Sequence, residues 1–438
     1  MSTPIESPED AARRAREAGE DDSDAYRFGR PPDDLPFFDP PVPTRITDVA
    51  AVDIQTLDLG KKSDRQRFMD MPDAVYVGEP NYIAPLRMHQ NKFLDPARNP
   101  AFKSLEVKVL MAVQGGTDVG RLTVQIDKNY NEYHGTQTGF LGFFECINDR
   151  KVAHALFTHG IEWLKGKGIE EVFGPTHFTL NHQAGLLVEN FDRPPFVEET
   201  YNPRYYEELF NSYGFGKAKD LLVWWIDITG GMETKNRKRI ARISERIKKR
   251  EGITIRHIDM KRLDEEFEHI FQLYLSAWQK NWGFAPLPKE EFMWLLADLE
   301  EVAIPELVLF VMVGDRTVGF CATLPNVNDR LPKDGRLFPF AWTKLLFGGV
   351  KKSKHARLYT LGMLPEYRKR GLEAMMFQET LSRAKDLGFV GGEIGWTLDD
   401  NDLINRAIES MEGSLDRRYR VLGLNLGTAP ASGDDPQP

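Results

Sequence analysis

The stretch LGMLPEYRKRGLEAMM (361–376) reads as a strand that stops at Pro365 and re-forms, after three cations and a glycine, as a helix. The first backbone N–H groups of a helix have no partner within it, and they sit at the positive end of its dipole. With Arg368, Lys369 and Arg370 beside them, they make an anion site suited to a pyrophosphate. Gly371 lets a ligand come close to the backbone. An ordinary basic loop closed by glycine is the alternative reading. The neighbouring segments give the loop its context. Before it come a hairpin, LVLFVMVGDRTVGFCATL (307–324), and the strand ARLYTLGML (356–364). The helix of 365–388 follows it, then a strand at 391–398, a helix at 401–413 and a last strand at 419–424.

The same order occurs once before. LEVKVLMAV (105–113) and GRLTVQI (120–126) form a hairpin, and GFLGFFE (139–145) is a strand. A helix at 149–168, a strand at 170–175, a helix at 203–215 and a strand at 219–227 complete the copy. Two copies of one α/β plan imply a tandem duplication. The expected limits are 49–228 for the first domain and 254–425 for the second, joined by a basic helix within 229–253. That joining helix carries Ile240, Ile243 and Ile247 on one stripe. It either rests on the protein by those isoleucines or presents its cations to anionic lipid headgroups or an acidic carrier.

The ends differ from the body. Residues 1–48 hold 12 acids, 6 bases and 8 of the 27 prolines, and they are expected to be a disordered acidic tail. Residues 426–438 read as a second tail. The chain of 438 residues carries a net charge of −9, but without its ends the body is close to neutral, which argues against nucleic-acid binding driven by overall charge. Cys146 and Cys321 are the two cysteines, too few for a disulfide framework or a multi-cysteine metal site. No apolar run is long enough to span a membrane, and the acidic start is unlike a signal peptide, so a cytoplasmic protein is expected.

A hairpin, a strand, R-x-x-G at a helix start and another strand resemble the coenzyme-A-binding core of the GNAT superfamily of acyltransferases. Arg368, Lys369, Arg370 and Gly371 match that family's loop, while Glu373 stands where it has a small residue and Ala374 follows. The resemblance implies that Leu364, Arg368, Lys369, Arg370, Gly371 and Ala374 bind the donor. Many members also place a tyrosine four residues before the glycine of the penultimate helix, to protonate the leaving thiolate. Here that count reaches Glu409 from Gly413 and Phe210 from Gly214, so another donor acts or the thiolate leaves unaided. The first copy has FFECINDRKVAHALF (143–157) in place of the basic loop, and it is expected to shape the acceptor side or stabilise the second domain.

YNPRYYEELFNSYGF (201–215), AWQKNWGF (277–284), LPEYRKRGLEA (364–374) and GWTLDDN (395–401) resemble the bacterial ceramide synthase family. The resemblance covers roughly residues 50–425. It implies an α/β fold of tandem GNAT-like domains, mixed sheets flanked by helices. It further implies transfer of a long acyl chain from acyl-coenzyme A to the amine of a sphingoid base, with no metal and no redox cofactor. A small amine or amino acid as acceptor, acyl-carrier protein as donor, and a non-catalytic acyl-binding protein are the alternatives.

N-acylation needs a neutral amine, so a carboxylate, histidine or water chain must take a proton. Glu393 on the strand after the donor helix, Asp399 or Asp400 at its end, and Glu145 in the first copy are the candidate bases; Tyr419 is a candidate proton donor. His177 and His182 suggest no third ligand, hence no metal site. Trp278 and Trp282 are expected to share a helical face, either as core or as the wall of an acyl groove, with Asn281 ending that helix and contacting the acceptor. Asn401 is read both as a substrate contact and as a helix N-cap. The aromatic and basic segment RLFPFAWTKLLFGGVKK (336–352) packs on the core, lines an acyl tunnel or dips into the bilayer surface. Peripheral contact with the inner membrane surface is therefore part of the expectation.

Overall fold

The computed structural model describes residues 51–229, 234–336 and 353–427. The expected N-terminal tail, nearly all of the C-terminal one and the segment 337–352 lie outside the described residues. Leu426, which the sequence assigns to the C-terminal tail, is buried and its N–H donates to Glu170 O at 2.7 Å.

The first half begins with strand β1 (Asp53–Leu57) and helices α1 (Lys62–Asp70), α2 (Pro72–Val75) and α3 (Arg87–Phe93). Next come the hairpin β2 (Leu105–Gln114) and β3 (Thr117–Asp127), helix α4 (Lys128–His134), β4 (Thr138–Cys146), α5 (Arg150–Gly166) and β5 (Glu171–Thr176). The half closes with a short β6 (Leu186–Glu189), α6 (Tyr206–Tyr213) and β7 (Gly216–Asp227). Helix α7 (Lys235–Glu251) connects. The second half contains β8 (Ile253–His257), α8 (Leu263–Ala277), α9 (Lys289–Glu300) and the hairpin β9 (Val308–Val313) and β10 (Arg316–Pro325). It ends with β11 (His355–Met363), α10 (Leu372–Asp386), β12 (Gly391–Leu398), α11 (Asp402–Ser410) and β13 (Ser414–Asn425).

One mixed sheet runs through both halves in the order β1-β2-β3-β4-β5-β13-β7-β12-β11-β10-β9-β8. The order is symmetric about the central pair. Each half gives its last strand to the other: β7 pairs antiparallel with β12, and β13 pairs antiparallel with β5. The two exchanged strands pair with each other from Ser414↔Trp225 to Gly423↔Gly216. Alternation of apolar residues identifies a strand but not its distant partner, so this exchange was not expected. The short strands β1 and β8, on the two outer edges, also carry too little apolar signal to read from sequence.

Helix α7 rests on the second half, but not on the whole isoleucine stripe. Ile247 is buried and Ile240 packs on the core, whereas Ile243 is 43% exposed. The inward turn is held instead by the buried Arg237, which donates to Met411 O at 3.2 Å and Asp227 O at 3.0 Å.

The parallel pair of each half positions the site. β11 and β12 are hydrogen-bonded from His355↔Gly391 only to Leu358↔Ile394. Beyond that they diverge, β11 following β10 to Met363 and β12 following β7 to Leu398. The gap left between them is open. In the first half β4 and β5 stay paired to Gly142↔Thr176 at the end of β5, and just beyond it the Phe143 ring stacks 4.3 Å from His177 and meets Phe178 edge-on at 4.9 Å. Asp149 caps α5 there, accepting from Lys151 N at 2.8 Å, so a carboxylate already occupies the position of the missing basic loop.

Candidate active site

A cavity of about 350 Å³ opens at the divergence of β11 and β12 and extends under α8 and α9. Its walls are largely apolar, including Phe267, Ile270, Leu295, Phe320, Leu358 and Ile394. Trp278, Asn281, Trp282 and Asn401, all expected on the acceptor side, line it together. Their local structure differs from the expectation. Helix α8 ends at Ala277, so Trp282 is not on its face but in the following turn, where Asn281 N donates to Trp278 O and Phe284 N to Asn281 O. The Trp278 ring lies against the backbone of Gly362, where a Cβ would stand 2.3 Å from the ring. Asn401 also caps α11 through Ile404 N at 3.4 Å, so it is an N-cap that lines the cavity as well.

The loop expected to bind the donor is more occupied than its sequence suggests. The Arg368 guanidinium donates to Met363 O at 3.2 Å and to Ala277 O, tying the loop to the end of α8. Lys369 (φ 60°) and Gly371 (φ 81°) take left-handed conformations that turn the chain into α10. Lys369 and Arg370 are exposed, with Arg370 over the Tyr367 ring and 3.8 Å from Glu251. Leu364 and Ala374 are half-buried. Glu373 is buried, and its carboxyl accepts from the backbone N–H groups of Glu373 and Lys369. Burial raises its pKa against those bonds and the nearby Arg368. The start of α10 therefore holds the chain's own carboxyl.

The four catalytic candidates fall in three places, none on the cavity wall. Glu145 lies in the first half, 3.6 Å from Arg121, and accepts a hydrogen bond from the Tyr206 hydroxyl at 2.7 Å. Asp400 is exposed and paired with Lys219 at 2.7 Å; Asp399 is paired with Lys217 at 3.0 Å. Glu393 and Tyr419 meet in a buried ionic network behind the cavity. Its centre is Glu199, fully buried, 3.7 Å from Arg357 and 3.4 Å from Arg417. Glu393 is 2.5 Å from Arg193, which also pairs with Asp416. Tyr419 donates to Thr200 O at 3.1 Å. Burial and then the Glu199 carboxylate push the Glu393 pKa up to about 8. Burial also opposes ionisation of Glu199, but Arg357 and Arg417 outweigh it and hold its pKa below the usual range.

A carboxyl raised in this way binds its proton in the folded chain and has lost it in the unfolded one between pH 5 and 8. Its contribution to stability is thus complete below the unfolded pKa of about 4.3 and falls as pH rises towards 8. Glu393→Gln keeps the neutral form and should flatten the fall in melting temperature over that interval by roughly 2–4 °C, measured by calorimetry. Parallel curves for the two proteins would contradict the assignment.

Sequence reasoning missed Arg193, Glu198, Glu199, Arg357 and Arg417. A signal did exist: Arg357 is a lone cation inside the apolar strand ARLYTLGML, a position that needs a buried partner. The partner lies about 160 residues away and no local pattern names it.

No family model matches the chain. The bacterial ceramide synthase of Caulobacter vibrioides (strain NA1000 / CB15N) is 32% identical over 381 residues, which span 85% of this chain and 98% of the relative. Protein YghO of Escherichia coli (strain K12) is 31% identical over 369 residues, 82% of this chain and 92% of its own. Among solved structures, a tandem GNAT protein from the clavulanic acid biosynthesis pathway, without AcCoA, superimposes with a TM-score of 0.52 at 11% identity. It covers 86% of this chain and 100% of its own. At that identity the likeness concerns the fold, and the fold of this chain is the tandem GNAT arrangement of a mixed α/β sheet flanked by helices.

Proposed function

The chain belongs to the bacterial ceramide synthase family of N-acyltransferases, and we propose that it moves a long acyl group from acyl-coenzyme A to the amine of a sphingoid base, sphinganine or 3-ketosphinganine, giving a (dihydro)ceramide. The observation that carries this reading is the apolar cavity at the open divergence of β11 and β12. An acyl chain buried there loses contact with water along its length, at about 0.8 kcal/mol per methylene. A thioester carbonyl at the mouth of the divergence would meet strand N–H groups that no longer pair across it, as an oxyanion requires.

The donor's phosphates would lie at the start of α10, over Lys369 and Arg370 and against the backbone at Gly371. Glu373 must then turn away or take a proton, since a carboxylate beside a pyrophosphate is repelled. Trp278, Asn281, Trp282 and Asn401 would contact the acceptor. The proposed domain limits remain 49–228 and 254–425. The first domain would bind no donor, because Asp149 caps its helix and its strands β4 and β5 stay paired to the end of β5. Among the described residues no helix is long and apolar enough to cross a membrane. We place the chain in the cytoplasm, touching the inner membrane surface by the exposed cations Arg239, Arg242, Arg246 and Lys249 of α7.

Thiol release from palmitoyl-coenzyme A that requires sphinganine, with the lipid product identified by mass, tests the reading. Release from acetyl-coenzyme A with a polar amine would discard the lipid acceptor. No release from either thioester would favour a carrier-bound donor or a binding protein.

A further inference from the structure

The loop of residues 190–201 reaches from the first half into the cavity of the second, and we propose that Glu198 within it holds the acceptor's ammonium group and takes the proton that the amine must lose. The inference rests on the acyl-transfer reading above and assigns that site its base.

Glu198 lines the cavity, while its two neighbours are fixed behind it. Val197 N donates to Asn326 Oδ1 at 3.2 Å, and Val197 O accepts from Arg357 Nη1 at 2.5 Å. Glu199 is the centre of the buried network with Arg357 and Arg417. Glu198 itself has φ 59°, a left-handed conformation unfavourable for a residue with a Cβ. Such a conformation persists only where the surroundings impose it, and it occurs most at working sites. The network on either side is what imposes it here. The ion pairs that enclose Glu393 and Tyr419 thus present a different carboxylate to the cavity.

Within the cavity Glu198 has no cation. Gln183 Nε2 donates to its Oε2 at 3.1 Å, and among the described residues no Lys, Arg or His lies at ion-pair distance. A carboxylate in an apolar cavity without a counter-charge is matched by an ammonium at the end of an alkyl chain. Apart from Glu300, the other titratable groups on the wall are already committed or of the wrong kind. His182 is held between Thr179, at 3.1 Å, and Glu291, at 3.4 Å. Arg357 is spent on Val197 O and Gly395 O. Tyr359 and Tyr274 stay protonated, burial being the main cause in both and the charge of Glu198 the second cause at Tyr359. Glu300 also lines the cavity, from the last turn of α9.

The ammonium gives one proton to Glu198, and the neutral amine attacks the thioester carbon. The C–N bond forms, the C–S bond breaks, and the second proton lost from nitrogen goes to the departing sulfur. Coenzyme A leaves as the thiol, and Glu198 returns its proton to water.

Three variants of the full chain test this. Glu198→Gln should lower kcat/KM for sphinganine by about 100-fold near pH 7, with palmitoyl-coenzyme A binding within about twofold of the original. The deficit should shrink as pH rises towards 9.5, where solution supplies the neutral amine; Glu198→Asp should recover part of the rate. Glu198→Gly, which relieves the left-handed backbone, should melt no lower than the original and yet be as impaired as the glutamine variant. A glutamine or glycine variant keeping more than a third of the rate across that pH range would overturn the proposal. Sphinganine binding, measured by calorimetry without donor, separates the two readings. About tenfold weaker binding to Glu198→Gln supports the ammonium site even if the original chain makes no amide, whereas equal binding overturns it. Absence of turnover by the original chain counts against the acyl-transfer reading alone.

Discussion

Arg357→Met should destabilise the folded chain by about 3–5 kcal/mol, because it strips a buried carboxylate of one of its two cations. Arg357 and Glu199 are both almost completely buried, and the guanidinium also bonds Val197 O and Gly395 O. A methionine fills much of the volume but leaves Glu199 with Arg417 alone and two buried carbonyls without donors. Glu199 then has to take a proton or hold its charge at a cost. Activity should fall with stability, since the loop that carries Glu198 loses its anchor. Adding Glu199→Gln to Arg357→Met should recover at least about 1 kcal/mol, as expected for two residues of one network. Urea denaturation of the single and double variants measures both quantities. A loss below about 1 kcal/mol in Arg357→Met, or strict additivity in the pair, would show that the network does not act as a unit.

Ala322→Phe should change the donor preference and leave the fold intact. Ala322 lies on β10, half-buried, paired with Thr360 of β11, and faces the cavity. A phenyl ring there takes space from the acyl chain without entering the packed core. Excluding about three methylenes at about 0.8 kcal/mol each corresponds to about a 50-fold loss in kcat/KM for a palmitoyl donor. An octanoyl donor, ending short of the ring, should lose no more than about threefold. The ratio of the two specificity constants is the readout. An equal loss for both donors would place the acyl chain elsewhere.

Much of the fold was legible because the signals are local. Hairpins with glycine-containing turns, apolar strands and helices closed by Gly168, Gly214 or Gly388 all follow from neighbouring residues. The duplicated order, and the loop at Arg368–Gly371 leading into α10, follow in the same way. What stayed hidden depends on distant pairing. The exchange of β7 and β13 changes no local pattern, yet it brings Arg417 and Tyr419 of the last strand against Glu199 of the first half.

The site shows the same division. Trp278, Asn281, Trp282 and Asn401 were singled out from local pattern and all line the cavity, Trp278 and Asn401 at helix ends and Asn281 and Trp282 in the turn after α8. Glu393 was singled out for its position on β12, but a strand residue has two faces, and its side chain turns away from the cavity to the network. Glu198 was not singled out, since a carboxylate in a loop is ordinary until its neighbours are seen to be fixed. The occupied state of the loop expected to bind the donor was equally out of reach: Glu373 was noted as an unfavourable charge, and its place beside the backbone N–H groups emerges only in three dimensions.

On the proposed reading, the cavity between β11, β12, α8 and α9 holds the acyl chain during transfer. Palmitoyl-coenzyme A carrying a photoreactive diazirine near the end of its chain would test it most directly, with labelled peptides mapped by mass spectrometry. Label is expected on cavity-lining residues of 258–308 and 320–324, competed away by unmodified palmitoyl-coenzyme A and reduced in Ala322→Phe. Label concentrated around Phe143 and Phe178 in the first half, or scattered without competition, would contradict it.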